Sequence, residues 1–469
     1  MTGTRERVTD TMSDADTLLW TMSRDPVLRP TIVAVMALDR APRWEDVRTR
    51  MEAMTRLVPR LRSHVVQRPL GAGRPLFVED AHFDLDVHIR RIALPPPGTF
   101  RALLDMAQVM ATTGFDPGLP LWEAVVVEGI EGERAAFVIK LHHALIDGVG
   151  GVAVLVHLLD PHRRPAGTRA STSPASPVTE RKQIDGVPAS RGGSPLLHLP
   201  DTRHLFEAAL HAASHPAESL DQLRSTAESA ARLLAPAGRP MSTLMTERGF
   251  GRRFEVLDLS LGELREAEAA TGGTLNDVFV AGVVGGLQRY HDLHGANLDS
   301  LRMLMPVNMR GGAEPVSGNH FVPARFVVQA ARDPGERVRE VHRVAGEWKH
   351  APALGLSDML AAGLNLLPDP LVTALWGSML KGDDCCITNV PGPPFETYLA
   401  GAQVERIYAF APPSGAALNV ALVTLAGRAC VGINFDAAAV PDPAKLAACL
   451  DEGFGEVVRL GRTDKEETP

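Results

Sequence analysis

Several features are missing from this sequence, and each absence removes a class of function. There are only four cysteines in 469 residues, at 385, 386, 430 and 449, and no CxxC spacing joins them. That excludes a cysteine-based zinc ribbon or dithiol redox motif and suits a reducing compartment. No run of about 18 apolar residues is present to span a bilayer. Met1 to Asp16 mixes charges and hydroxyls without an apolar segment, so no signal peptide is expected. Positive charge is also lacking. A formal net charge of −8 argues against nucleic acid, which needs concentrated Lys and Arg. It also weakens attraction to anionic lipid, leaving a local basic or apolar patch as the route to a membrane. There is no GxSxG elbow and no HExxH pair, and Gly148-Val149-Gly150-Gly151 lacks the Lys and the spacing of a phosphate loop.

What remains is a globular composition, 45% hydrophobic and 22% charged, on a chain too long for one core. Residues 8–160 read as one α/β domain. Arg43–Leu57 has Trp44, Val47, Met51 and Met54 near one helical face, and Ala136–Leu141 reads as a buried strand followed by a helix over Val149–Leu159. Residues 161–245 change character: seven prolines and five serines fall between Pro161 and Pro200, a composition that buries little apolar surface. Helices over Arg203–Ala213 and Ala217–Leu234 follow, the second with an apolar stripe that suits core packing or a membrane-facing surface. A second α/β domain is expected over 246–462. It has a strand at Phe254–Leu259, a helix at Ser260–Ala270 and a helix at Asn276–Tyr290 too apolar for the surface. Gly355–Leu380 is apolar enough to fill a core or to line a pocket for a long chain.

The sharpest feature is His142-His143-Ala144-Leu145-Ile146-Asp147-Gly148, directly after the predicted strand. It holds the only adjacent pair among sixteen histidines. A tight loop at a strand end holds a side chain rigidly over a cleft. An alcohol becomes a nucleophile when its proton is removed, and His suits that task near neutral pH. A metal site would need a different ligand spacing, so no metal is expected. A purely structural histidine pair is the competing reading, and the strand, aspartate and glycines beside it count against that.

The HHxxxDG pattern resembles the coenzyme-A-dependent acyltransferase superfamily, and the wider pattern is similar to the bacterial wax ester synthase/diacylglycerol acyltransferase family over nearly the whole chain. The matching elements are Pro120-Leu121-Trp122-Glu123, Gly273-Thr274-Leu275-Asn276-Asp277-Val278, Pro306-Val307-Asn308-Met309-Arg310 with Gly318-Asn319, and Asn389-Val390-Pro391-Gly392-Pro393. Two stretches depart from the family pattern, Met241–Arg253 and Thr424-Leu425-Ala426-Gly427.

The resemblance implies an α/β fold of two chloramphenicol-acetyltransferase-like domains with the active-site channel between them. It implies transfer of a long-chain acyl group from acyl-coenzyme A, as substrate and not as a bound cofactor, to a diacylglycerol or a fatty alcohol. His143 would be the base and His142 would shape the loop. Asp147 would be a structural anchor paired with an arginine, for which Leu61-Arg62, within Val58-Pro59-Arg60-Leu61-Arg62, is one source. Asn276 would either cap its helix or make a polar contact near the developing oxyanion, with Asp277 in the first turn. Gly148, Trp122, Arg310 and Asn319 would contact substrate or shape its site. The expected location is cytoplasmic, with peripheral contact at a membrane or lipid inclusion. An acyltransferase acting on a secondary metabolite or an envelope lipid, and a silent lipid-binding relative, remain as rivals.

Overall fold

The computed structural model describes residues 8–67, 73–146, 151, 157–163, 238–308, 321–349, 357–365 and 367–466. The Pro/Ser-rich stretch 164–237, both helices expected within it, most of the helix expected over Val149–Leu159, and Asp147, Gly148, Arg310 and Asn319 lie outside the described residues.

Fifteen strands are described: β1 (Val8–Thr11), β2 (Thr31–Leu38), β3 (Ser63–Val66), β4 (Leu76–Glu79), β5 (Ile89–Ala93), β6 (Trp122–Ile130), β7 (Arg134–His142), β8 (Arg252–Ser260), β9 (Ser300–Asn308), β10 (Phe321–Gln329), β11 (Cys385–Val390), β12 (Thr397–Leu399), β13 (Ala402–Phe410), β14 (Leu418–Leu425) and β15 (Arg428–Asp436). They build two six-stranded sheets, ordered β12-β13-β2-β7-β6-β5 and β10-β9-β11-β14-β15-β8, beside a small sheet β1-β4-β3. This is the α/β, two-sheet architecture that the resemblance implies.

The other expected helices are present with small shifts at their ends. Trp44–Leu57 buries Val47, Met51 and Met54, the stripe its 3.6-residue period demands. Leu275–Leu293 buries every residue from Asp277 to Gln288. It is too apolar for the surface because it has no surface face over that length. The apolar stretch before β11 forms two helices, Ser357–Leu364 and Asp369–Leu380. Val372, Met379 and Leu380 of the second are buried, while Leu371 and Leu375 stay exposed. No described helix is long and apolar enough to cross a membrane. All four cysteines are buried and free.

The sheets do not divide where the sequence does. β12 and β13 come from the second half of the chain yet extend the first sheet, β13 pairing antiparallel with β2 from Val404↔Leu38 to Phe410↔Val33. The division into 8–160 and 246–462 therefore describes the chain and not the sheets. A third apolar cluster fills the junction, mixing Val33, Leu103 and Val125 with Phe254, Phe410 and Cys430. Phe254 stacks on Phe410 at 3.9 Å with the ring planes 4° apart. Gly432 of β15 crosses so close to β13 that a Cβ there would stand 2.2 Å from the Ala409 carbonyl oxygen, so only glycine fits.

The turn into β11 carries two buried carboxyls. Asp384 accepts from the backbone N–H groups of Ser242 (2.9 Å), Met241 (3.3 Å) and Arg302 (2.8 Å), pinning the segment where the described chain resumes. Asp383 is fully buried, and among the described residues neither of its oxygens has a hydrogen-bond partner. Burial pushes its carboxyl up to about 7, against the opposing pull of Arg325 and Arg302. The folded state thus keeps a proton that the unfolded chain releases near 3.8. Between those two values the folded state binds more protons, so stability falls as pH rises through the window. Asp383→Asn should flatten that slope and raise stability at about pH 8 relative to wild type, by on the order of a few kcal/mol at most. Urea unfolding at about pH 5 and about pH 8 checks this, and an unchanged pH slope would contradict it.

Candidate active site

β7 delivers the histidine pair at its C-terminal end. Thr31 of β2 faces His142 across the ladder and Leu141 faces Trp122 of β6. Beyond the strand the pairing continues for one more step. The His142 N–H donates to the Leu121 carbonyl (3.0 Å) and the His143 N–H to the Pro30 carbonyl (2.9 Å). Here lies the reason Pro120-Leu121-Trp122 accompanies the motif: its backbone is the neighbour that holds the strand end. The chain then turns, with Leu145 and Ile146 N–H groups donating back to the His142 and His143 carbonyls.

His142 is 2% exposed and both of its ring nitrogens are engaged. The Ala144 N–H donates to Nδ1 (3.1 Å), so Nδ1 carries the lone pair and Nε2 the proton. Nε2 lies 2.6 Å from Ser23 Oγ and donates to it, and the Ser23 hydroxyl in turn donates to the Leu19 carbonyl (3.3 Å). Trp20 and Phe115 pack on the ring at 5.7 and 5.9 Å between centroids. Burial, then the neighbouring His143 and Arg29, hold this imidazole down at about 3, so it is neutral at physiological pH. His143 is half-buried and sits in the turn itself.

The turn is braced from behind by a buried arginine. Arg60 Nη1 donates to the Ala144 carbonyl (3.1 Å) and to Asp16 (3.0 Å), and its Nη2 and Nε donate to Asp10 (2.6 and 2.9 Å). Its guanidinium lies 4.6 Å from the Phe77 ring centre. The arginine that faces the histidine loop is Arg60, and not the Arg62 of the Leu61-Arg62 pair that the sequence points to. Arg62 instead reaches Glu52 (3.0 Å) and stacks over Phe83.

The remaining candidates divide. Trp122 is fully buried, donates from Nε1 to the Leu61 carbonyl (2.8 Å) and stacks on His88 at 4.7 Å. The structure places it in the core behind the strand. Asn276 is half-buried at the second position of its helix, with its amide nitrogen 3.5 Å from Met305 Sδ. The cap is Thr274, which forms a capping box with Asp277. Capping therefore does not explain Asn276, and the Thr274-x-x-Asp277 spacing was the readable signal for that box. Asp277 is buried and also meets His342 Nδ1 at 2.7 Å.

Ala144, Leu145 and Ile146 share one core cluster with Leu304, Cys386 and Val423 of the second sheet. The loop carrying His143 therefore lies where the two sheets meet. Gly392 of the Asn-Val-Pro-Gly-Pro element packs on the same second-sheet strands: its N–H donates to Thr424 Oγ1 (3.0 Å), and a Cβ would stand 2.1 Å from the Thr424 carbonyl oxygen. The departing stretch 424–427 is the β14–β15 turn, with Ala426 and Gly427 both at positive φ. Among the described residues no group of three or more His, Cys, Asp or Glu is placed to hold a metal.

Ser23 and Arg60 were not identified as individual site residues from sequence; Ser23 carries no local signal, being a single serine after a helix. Ser23→Ala should leave the His142 Nε2–H buried without an acceptor, costing about 1–3 kcal/mol, whereas Ser23→Thr retains the hydroxyl and most of the stability. Arg60→Leu should cost about 3–5 kcal/mol by stranding Asp16. Chemical denaturation of the three variants tests both statements, and wild-type stability in Ser23→Ala would contradict the anchoring role.

The family profile described as wax ester synthase/diacylglycerol acyltransferase catalytic domain matches residues 10–279, and that for the WS/DGAT C-terminal domain matches residues 318–457. A Mycobacterium tuberculosis (strain H37Rv) protein named as a diacylglycerol O-acyltransferase is 33% identical over 98% of this chain and 94% of its own length. Among solved structures, the wax ester synthase/diacylglycerol acyltransferase from Marinobacter aquaeolei VT8 superposes with a TM-score of 0.65 at 21% identity, covering 97% of this chain and 100% of that one. A double mutant of the starter condensation domain of rhizomide synthetase, in complex with C8-CoA and Leu-SNAC, superposes with a TM-score of 0.58 at 13% identity over 97% and 95% of the two chains. The chain belongs to the wax ester synthase/diacylglycerol acyltransferase family and is an acyltransferase of that family.

Proposed function

We propose that this protein moves a long-chain acyl group from acyl-coenzyme A to the hydroxyl of a hydrophobic alcohol, a diacylglycerol or a fatty alcohol, with His143 as general base. The observation that carries the proposal is the state of His142. His142 has a committed tautomer, both nitrogens bonded and no charge at neutral pH. It is therefore an anchor, and the half-buried His143 in the turn between the sheets is left as the member suited to proton transfer. The relative crystallised with C8-CoA supports a thioester donor of this type.

In the proposed reaction His143 takes the proton of the acceptor hydroxyl as its oxygen attacks the thioester carbonyl. The tetrahedral intermediate collapses by breaking the carbon–sulfur bond, and the leaving thiolate recovers the proton from the imidazolium. The products are the ester and free coenzyme A, with no acyl group on the protein. Asn276, whose amide is spent only on a thioether, is the donor we assign to the developing oxyanion. For Asp147 we propose the anchoring role that the resemblance implies, and for Gly148, Arg310 and Asn319 a place at the substrate. The exposed Leu371 and Leu375, with Pro370, Ala374 and Ser378 exposed beside them on the same helix, support peripheral contact with the lipid phase in which such acceptors reside.

The test is release of free coenzyme A from palmitoyl-coenzyme A in the presence of hexadecanol or a diacylglycerol. We expect acceptor-dependent release that falls by about 10²–10⁴-fold in His143→Ala, with an unchanged circular dichroism spectrum. Turnover retained in that variant would overturn the assignment of the base. No release with either acceptor, from folded protein that binds the thioester, would overturn the acceptor class.

A further inference from the structure

A pocket of about 380 Å³ opens beside His142, lined by Trp20, Val65 and Phe115 and by Arg24, Arg29 and Gln67. Among the described residues Arg24 and Arg29 are the arginines that line it, and the first of them, like two cations near Arg29, is neutralised by the protein. Arg24 pairs with Asp369 at 2.5 Å, the buried Lys140 with Glu123 at 3.0 Å, and the buried Arg252 with Asp436 at 3.2 Å. Arg29 is half-buried, and its bond runs from Nη1 to the Thr112 carbonyl (2.8 Å). Among the described residues no carboxylate stands within ion-pair distance of it.

A guanidinium has five N–H donors and a permanent charge. Removing such a group from water without a counter-charge is costly. The positive field of Arg29 also reaches its neighbours: it adds to the forces that depress His142, Lys140 and Arg252. A pocket with aromatic and aliphatic walls and one uncompensated arginine is complementary to a molecule with an apolar body and a negative end.

We propose that this pocket binds the anionic group, phosphate or carboxylate, of an amphiphilic ligand, with Arg29 as its principal partner and Trp20, Val65 and Phe115 against its apolar part. That group has two sources, the phosphates of the coenzyme A donor or the charged end of a lipid. The assignment concerns binding and goes beyond the acyl-transfer reading.

Calorimetric titration of the full chain with coenzyme A, with palmitate below its micelle concentration, and with uncharged hexadecanol separates the sources. Wild type should bind at least one anionic probe about tenfold or more tightly than Arg29→Gln. Arg29→Lys should recover part of the difference, added salt should weaken the same probe, and hexadecanol should bind all three proteins alike. A loss confined to coenzyme A assigns the pocket to donor phosphate, and a loss confined to palmitate assigns it to a lipid carboxylate. Should Arg29→Gln unfold, the Lys variant and the salt dependence of wild type decide: binding of both anions that salt leaves unchanged overturns the proposal. Equal affinities in wild type and a folded Arg29→Gln overturn it as well, leaving acyl transfer untouched. Arg29-dependent binding without transfer to either acceptor would keep the pocket and remove the proposed acceptor class.

Discussion

The hydrogen-bond chain Ala144 N–H to His142 to Ser23 to the Leu19 carbonyl sets what the rest of the site can do. A buried imidazole with one nitrogen accepting and the other donating has no freedom to flip and no room for a second proton. It fixes the turn that follows, and Arg60 grips the same turn through the Ala144 carbonyl. Two independent supports on three consecutive residues make the direction of His143 a property of the fold. An acyl transfer that proceeds without a covalent enzyme intermediate depends on such positioning, because base, alcohol and thioester must meet in one arrangement.

Around that anchor the molecule is held together by elements that ignore the order of the chain. β13 leaves the second half to complete the first sheet, Gly432 lets β15 cross against it, and Phe254 on Phe410 closes the gap between them. The two halves are thereby joined by backbone pairing as well as by apolar contact. Buried charge acts within each half. Arg60 with Asp10 and Asp16, Arg252 with Asp436, and Asp384 with three backbone N–H groups each tie together segments far apart in sequence. Such pairs add little net stability over apolar packing but are expensive to break from one side.

Much of this was readable from the residues, and the reason is locality. The Trp44–Leu57 helix, the buried strand ending at His142 and the central Leu275–Leu293 helix all announce themselves by period and apolar density. The loop motif also stood out, because adjacent histidines, an aspartate and glycines seldom fall together by chance at the end of a buried strand. What escaped was long-range. Nothing local marks Ser23 as the partner of a residue 119 positions away, or β13 as a strand of the first sheet. That Arg60 braces the loop, and not the Arg62 the sequence points to, depends on which side of a one-turn helix faces it. Asn276 was weighed as a cap because its residue type favours that place, but the neighbouring Thr274 forms the box with Asp277 and takes it.

The most direct test of the division of labour between the two histidines is ¹⁵N nuclear magnetic resonance of the imidazole rings, followed from about pH 8 to about pH 5. An anchoring His142 keeps its proton on Nε2 and remains neutral across that range; Ser23→Ala perturbs its signals, while His143→Ala leaves the tautomer in place. A His142 ring that titrates within the range, or that carries its proton on Nδ1, would contradict the claim that it is the anchor on which His143 is mounted.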